Sequence, residues 1–305
     1  MRRGKLEFDT DAMNIVSIDW DDIAHVSSSL VFEVTDATGQ LHYGELQVSD
    51  RARVLVVALG DETIRLPFTV VVELRNLADG FWAKTNGYVD VGINVVRANS
   101  LRSALLKGQY RYNGRIWEVD LHGDTYFQSQ TSTSAGSLEN TADETSRSSI
   151  ALEGRRNISG TWAATTSARS ESNEELSLDR RLLLAAGPRY NIIRNQSLEF
   201  HSGASVVFNS ERFTGEERTE QGEVKLTLGF DMFDKGDVDL FLLTEGFVGR
   251  NFDRLRFNFD GRIAWEVVND FTIGLSAVER LDNNPAGDAE KRDFQYGLTV
   301  GWTWG

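Results

Sequence analysis

The residues able to do chemistry in this 305-residue chain fall on alternate positions. Glu118, Asp120, His122 and Asp124 form one such row, Glu199, His201 and Ser205 a second, and Glu223 with Lys225 a third. A fourth, the richest, is Arg254, Arg256, Asp260, Arg262 and Glu266. Three chemistries deserve weighing. His122 between two aspartates could touch a metal ion, although three acids and bases at successive positions of one strand face more often make a solvated acidic stripe. Glu199, His201 and Ser205 are the ingredients of a nucleophilic relay, yet side chains two apart on a strand stand about 7 Å from each other, too far to pass a proton directly. Glycine-rich phosphate loops, dinucleotide fingerprints and clustered metal-ligand spacings do not appear. No catalytic residue, metal or cofactor is therefore expected, and the protein does not read as an enzyme. The remaining chemistry is electrostatic. A charged interior row either lines a narrow aqueous pore, with the arginines setting ion preference, or forms a salt-bridged plug that fills the space.

Such rows require long strands to carry them. The last stretch, Phe294 to Trp304, has Phe294, Tyr296, Leu298, Val300, Trp302 and Trp304 on one face and Gln295, Gly297, Thr299, Gly301 and Thr303 on the other. That is the two-residue period of a strand between lipid and a watery lumen. Gln295, Gly297, Val300, Trp302 and Trp304 also resemble the C-terminal assembly signal of bacterial outer-membrane barrels, although Gly305 follows the final aromatic. Twelve alternating segments are predicted from Tyr88 onward: 88–98, 101–112, 115–129, 146–157, 160–171, 175–193, 197–209, 221–233, 238–249, 253–268, 271–282 and 291–304. At about eleven or more residues they are long enough to cross a bilayer at a tilt, where a sandwich strand usually has about five or six.

The connections alternate too. Short turns such as Asn113-Gly114 and Asn269-Asp270 end the even-numbered segments, while the odd-numbered ones end in links that include the long Gln130–Thr145, Ser210–Glu220 and Asn283–Glu290. Short periplasmic turns and longer outer loops mark an outer-membrane barrel. Tyr110, Tyr112, Trp117, Trp162, Tyr190, Trp265, Phe271, Trp302 and Trp304 gather at the turn end as an interfacial girdle, with Phe127, Phe208, Phe247 and Phe294 marking the other rim. Pro188 opposes a closed sheet, and beside Gly187 it is expected to mark a bulge.

Residues 1–80 read as short strands, a small β-rich domain in the periplasm, with 81–305 as the barrel. A weak internal echo links Gly4–Phe8 with Gly44–Val48. The net charge of −14 and pI near 4.8 argue against a nucleic-acid partner. With no cysteine, disulfide scaffolds and thiolate metal sites are excluded. No apolar run reaches the roughly 20 residues of a membrane helix, and a mean hydropathy of −0.33 is compatible with a barrel. The opening MRRGKLEF has no apolar segment behind its arginines, so it does not read as a signal peptide. The expected partners are outer-membrane lipid, the barrel-assembly machinery and small solutes or ions. A filled barrel anchoring a periplasmic interaction domain is the alternative, and a soluble β-sandwich the third reading.

The segment from Tyr88 to Trp304 resembles the YdiY-like family, domain of unknown function 481, described as salt-induced outer membrane proteins. The residues carrying the resemblance are Glu175-Leu176-Ser177-Leu178-Asp179-Arg180-Arg181 leading to Gly187-Pro188-Arg189-Tyr190, and Leu281-Asp282-Asn283-Asn284-Pro285 followed by Asp293. The Ile18–Ile23 block is similar to the region preceding the barrel in some members. The resemblance implies an all-β outer-membrane barrel and brings no catalytic residues.

Overall fold

The computed structural model describes residues 4–10, 14–77, 81, 84–96, 101–114, 117–133, 140–159, 161–233, 237–250, 252–268, 270–285 and 290–304. Strands β1 (Lys5–Thr10) and β2 (Asn14–Asp19) form a hairpin. Next come β3 (Ser28–Asp36), β4 (Leu41–Gln47), β5 (Val54–Leu59), β6 (Glu62–Pro67) and β7 (Val71–Asn76), an antiparallel sheet in the order β6-β5-β4-β3-β7. Its core is of the ordinary kind. Trp20 stacks on Phe68 at 4.2 Å and donates its indole N–H to the Phe68 carbonyl, and both are packed among buried Val34, Leu46, Leu55, Val57, Val71 and Leu74. The two halves of the sequence echo occupy different places, Gly4–Phe8 at the hairpin and Gly44–Val48 along and just past β4 in the larger sheet.

Twelve strands follow: β8 (Thr85–Val96), β9 (Leu101–Asn113), β10 (Trp117–Thr133), β11 (Asn140–Asn157), β12 (Trp162–Asn173), β13 (Leu178–Arg194), β14 (Leu198–Phe213), β15 (Thr219–Met232), β16 (Val238–Gly249), β17 (Leu255–Val268), β18 (Phe271–Asp282) and β19 (Arg292–Trp304). Each pairs antiparallel with its chain neighbours, and β19 pairs back onto β8, closing the barrel.

The barrel is inside out relative to a soluble core. Its outward row is large, apolar and exposed, as Leu226, Leu228, Ile263, Trp265, Ile273, Leu275, Leu298 and Trp302 show. Its inward row holds most of the buried charges: Asp90, Lys107, Glu118, Arg155, Arg181, Glu199, Glu245 and Arg262 are all buried. Burying charge while exposing leucine is costly in water and favourable in a bilayer, so this is a transmembrane barrel.

Three expectations change. Gln130–Thr145 is mostly strand, because β10 and β11 stay paired out to Thr133 opposite Asn140; Ser and Thr, read as loop residues, also suit exposed β-structure. Phe247 belongs to the lumen, only 2% exposed, and packs with Leu183 and Val207. Both rows of β16 carry large apolar residues, so alternation left its phase undefined. Pro188 makes no bulge: the β13–β14 register is the same on either side of it, and the shifts fall at Leu178–Arg180 and Asn191–Ile193 instead. Proline lacks the ladder N–H, and beside it the strands pass close together, since a Cβ on Gly187 would lie 2.0 Å from the Ala204 carbonyl.

Candidate functional site: the charged lumen

Because inward residues repeat every second position, each strand delivers a column of side chains to the lumen. Near the turn end, Glu118 pairs with Arg155, which also reaches Glu199 at 2.9 Å, and Glu199 accepts Arg189 as well. Asp120 accepts from Arg111 at 3.0 Å, from Gln109 at 2.6 Å and lies 3.0 Å from His122 Nδ1. Around these groups is a small chamber of about 110 Å³, lined also by Glu153, Ser167, Ser205 and Thr227.

Higher up, Glu223 pairs with Arg256, whose guanidinium lies 4.5 Å over the Phe247 ring. Lys225 meets Glu245 at 2.9 Å, and Asp260 holds Arg280 at 3.0 Å. Arg262 clamps Asp90 through two hydrogen bonds of 2.6 and 3.0 Å and rests 4.1 Å over Tyr88. Arg254, just ahead of β17, pairs with Glu211 and Asp282. Glu266 stands apart. At the turn rim it accepts Lys5 of the β1 hairpin at 3.0 Å.

Of the residues expected to form an assembly signal, Gln295 and Gly297 face inward while Val300, Trp302 and Trp304 face the membrane side. His201 makes no hydrogen bond among the described residues, and its ring covers Gly229. Glu199, His201 and Ser205 therefore share a column without forming a relay. Asp124 is engaged by Ser149 at 2.6 Å and Arg147 at 3.5 Å, so His122 has one carboxylate beside it, and among the described residues no three acids or histidines are arranged to hold a metal.

Sequence reasoning missed the ties that span the lumen. Arg111 on β9 reaches Asp231 on β15 at 3.8 Å, six strands away in a ring of twelve and so diametrically opposite. Arg169 on β12 meets Glu245 on β16 at 2.6 Å. Near the loop end Arg147 on β11 and Asn173 on β12 both bind Asp293 on β19, at 3.2 and 2.7 Å, while Arg181 on β13 comes within 3.9 Å of Asp282 on β18. Each of these residues occupies an inward position of its strand, which was the available signal. What the sequence lacked was position around the ring.

The arrangement thus comprises a charge-lined chamber on the turn side and side-chain bridges at several heights. It can hold water, ions and small polar solutes, and it restricts passage of anything larger.

Among solved structures, the chain is similar to the outer membrane channel DcaP of Acinetobacter baumannii, at 10% identity over 97% of this chain and 99% of that one, with a TM-score of 0.32. It is also similar to the outer membrane protease OmpT from Escherichia coli, at 8% identity over 72% and 94%, TM-score 0.23, and to the CymD monoaromatic hydrocarbon channel, at 8% over 90% and 86%, TM-score 0.29. Likeness at this level adds nothing to what the strand registers already establish. No curated protein matches the chain. The family described as "Protein of unknown function, DUF481" matches residues 89–304, the whole barrel but for its first few residues, and the chain belongs to that family.

Proposed function

We propose that the protein is an integral barrel of the bacterial outer membrane whose lumen passes ions or very small polar solutes and excludes larger ones. The observation carrying this reading is the combination of a charge-lined chamber with guanidinium–carboxylate bridges from opposite walls, Arg111–Asp231 and Arg169–Glu245 above all. Fixed charges of both signs keep the path wet, while the bridges set its width. The role is non-catalytic: Glu199 is taken up by Arg155 and Arg189, leaving no assembled proton relay in its column. In this orientation the short turns and the β1–β7 sheets lie on the periplasmic side, outer-membrane lipid surrounds Leu226 to Trp302, and β19 presents the signal read by the assembly machinery.

Planar-bilayer recording tests the reading. Wild-type protein is expected to give small conductance steps, and Arg111→Ser combined with Arg169→Ser larger ones. Silence from both proteins at every voltage, with the barrel folded, would rule out a pore.

A second reading has one observation in its favour. Lys5 is joined to Glu266 at the turn rim, which suits a filled barrel that anchors the N-terminal sheets. Lys5→Ala would then alter the attachment of those sheets, seen as faster proteolysis of residues 1–80, without changing conductance.

A further inference from the structure

On its loop side the chamber is followed by a second, much smaller void. The two share Glu153, Ser167, Arg169, Lys225 and Glu245 in their linings, and the smaller measures about 20 Å³. That is room for one water, which needs roughly 10–15 Å³. The strand columns give its direction. Two positions loopward of Glu153 is Ala151, of Ser205 is Val207, and of Glu245 is Phe247; all three line the small void, together with Leu183 and Ala185 of β13. The lumen wall at this level is therefore apolar on four strands. Above and below it, β11, β13 and β14 carry inward charges: Arg147 and Arg155, Arg181 and Arg189, Glu211 and Glu199.

Leu183, Val207 and Phe247 pack into one buried cluster with Ala185 against it. Phe247 also lies under Arg256, whose guanidinium pairs with Glu223 and keeps its Nε and Nη1 free of hydrogen bonds among the described residues. A buried ring covered in this way has little room to swing aside. Most of the polar lining is already engaged. Glu245 takes both Arg169 at 2.6 Å and Lys225 at 2.9 Å, and His122 is drawn to Asp120 at 3.0 Å. Glu153 and Ser167 complete the lining at the boundary with the chamber. An ion moving from there toward the loops sheds its water beside apolar side chains that offer nothing in its place, which is how a hydrophobic constriction resists passage.

We propose that the Leu183–Val207–Phe247 cluster is a hydrophobic neck governing passage between the chamber and the loop-side lumen, with Phe247 as the residue that sets its threshold. The cross-lumen bridges limit size by their reach. The neck adds a dehydration barrier, so water and the smallest uncharged solutes cross it more readily than hydrated ions do. The inference rests on the pore reading and assigns part of its selectivity to a residue that carries no charge.

The experiment records the full chain in planar bilayers with potassium chloride on both sides. Phe247→Ala, which widens and wets the neck, should raise the conductance step about fivefold or more, the factor carried by about 1 kcal/mol of barrier. Val207→Thr keeps the size of the side chain and adds a hydroxyl, so it should move the step in the same direction by wetting alone. A silent wild type beside a conducting Phe247→Ala supports the neck equally. Gel mobility that shifts on heating shows which variants are folded, and if Phe247→Ala is not, Val207→Thr decides. A wild-type step from folded Phe247→Ala, or from Val207→Thr where it decides, would overturn the neck. Failure of the pore reading looks different: silence from wild type, from both neck variants and from Arg111→Ser with Arg169→Ser removes the pore, whereas a larger step from the arginine variant alone removes only the neck.

Discussion

Asp36 closes the turn from β3 to β4, and opposing influences act on its carboxylate. Burial pushes its pKa up, but hydrogen bonds from His42, from the Thr38 hydroxyl and from the backbone N–H groups of Gln40 and Thr38 outweigh it, leaving the group below its ordinary 3.8. A folded value below the unfolded one means that the contribution is complete above about pH 3.8 and disappears as pH falls through the lower folded value. The protection of the Thr38 and Gln40 amides, measured by hydrogen exchange against the intrinsic rate at each pH, should therefore fall on acidification, and Asp36→Asn should remove that dependence. In the lumen, Glu245 serves both Arg169 and Lys225. Arg169→Gln leaves Lys225 in place, so its cost should fall at or below the low end of the roughly 3–5 kcal/mol for breaking a buried pair, whereas Glu245→Gln strands two cations and should cost more. Urea unfolding followed by tryptophan fluorescence would rank the two. The sequence made such residues visible as a class, because inward positions repeat every second residue. It could not say that Arg111 and Asp231, 120 positions apart, meet across the axis.

Strands were the most legible level. The segments predicted from alternation coincide with β8–β19 to within a few residues at most ends, since each strand has lipid on one side and charge on the other. The exceptions follow from the same physics. The Ser/Thr-rich stretch between β10 and β11 carried no apolar alternation to read, and β16, with Leu240 and Leu242 outward and Phe241, Leu243 and Phe247 inward, carried too much. Two substitutions probe the strands directly. Gly187→Val would drive a side chain into the Ala204 carbonyl of β14 and should sharply reduce the yield of folded barrel. Leu275→Arg, on the outward row of β18 opposite Leu298, should cost about 2–4 kcal/mol, the penalty for a cation near the bilayer midplane. Unfolding from lipid vesicles would measure it.

At the scale of the molecule, the closed ring predicts that folded protein runs differently on a gel before and after boiling; identical mobility would contradict the barrel. The sequence conveyed this architecture through two facts, the count of alternating segments and the rhythm of turns and loops, but the meeting of opposite walls depended on ring geometry. The cross-lumen bridges have a mechanical consequence as well. A hollow cylinder of twelve strands resists lateral pressure only through its sheet and flattens easily, whereas struts such as Arg111–Asp231, Arg169–Glu245 and Arg147–Asp293 act as spokes. None of these spokes ends on β8, whose clamp to Arg262 spans only a short arc of the ring. Under membrane tension a wheel braced in this way yields first where its rim is least stitched, and β8 and β19 pair only from Val91 opposite Val300 to Gly87 opposite Trp304, so stretching the bilayer should strain that join while the rest of the circumference keeps its shape.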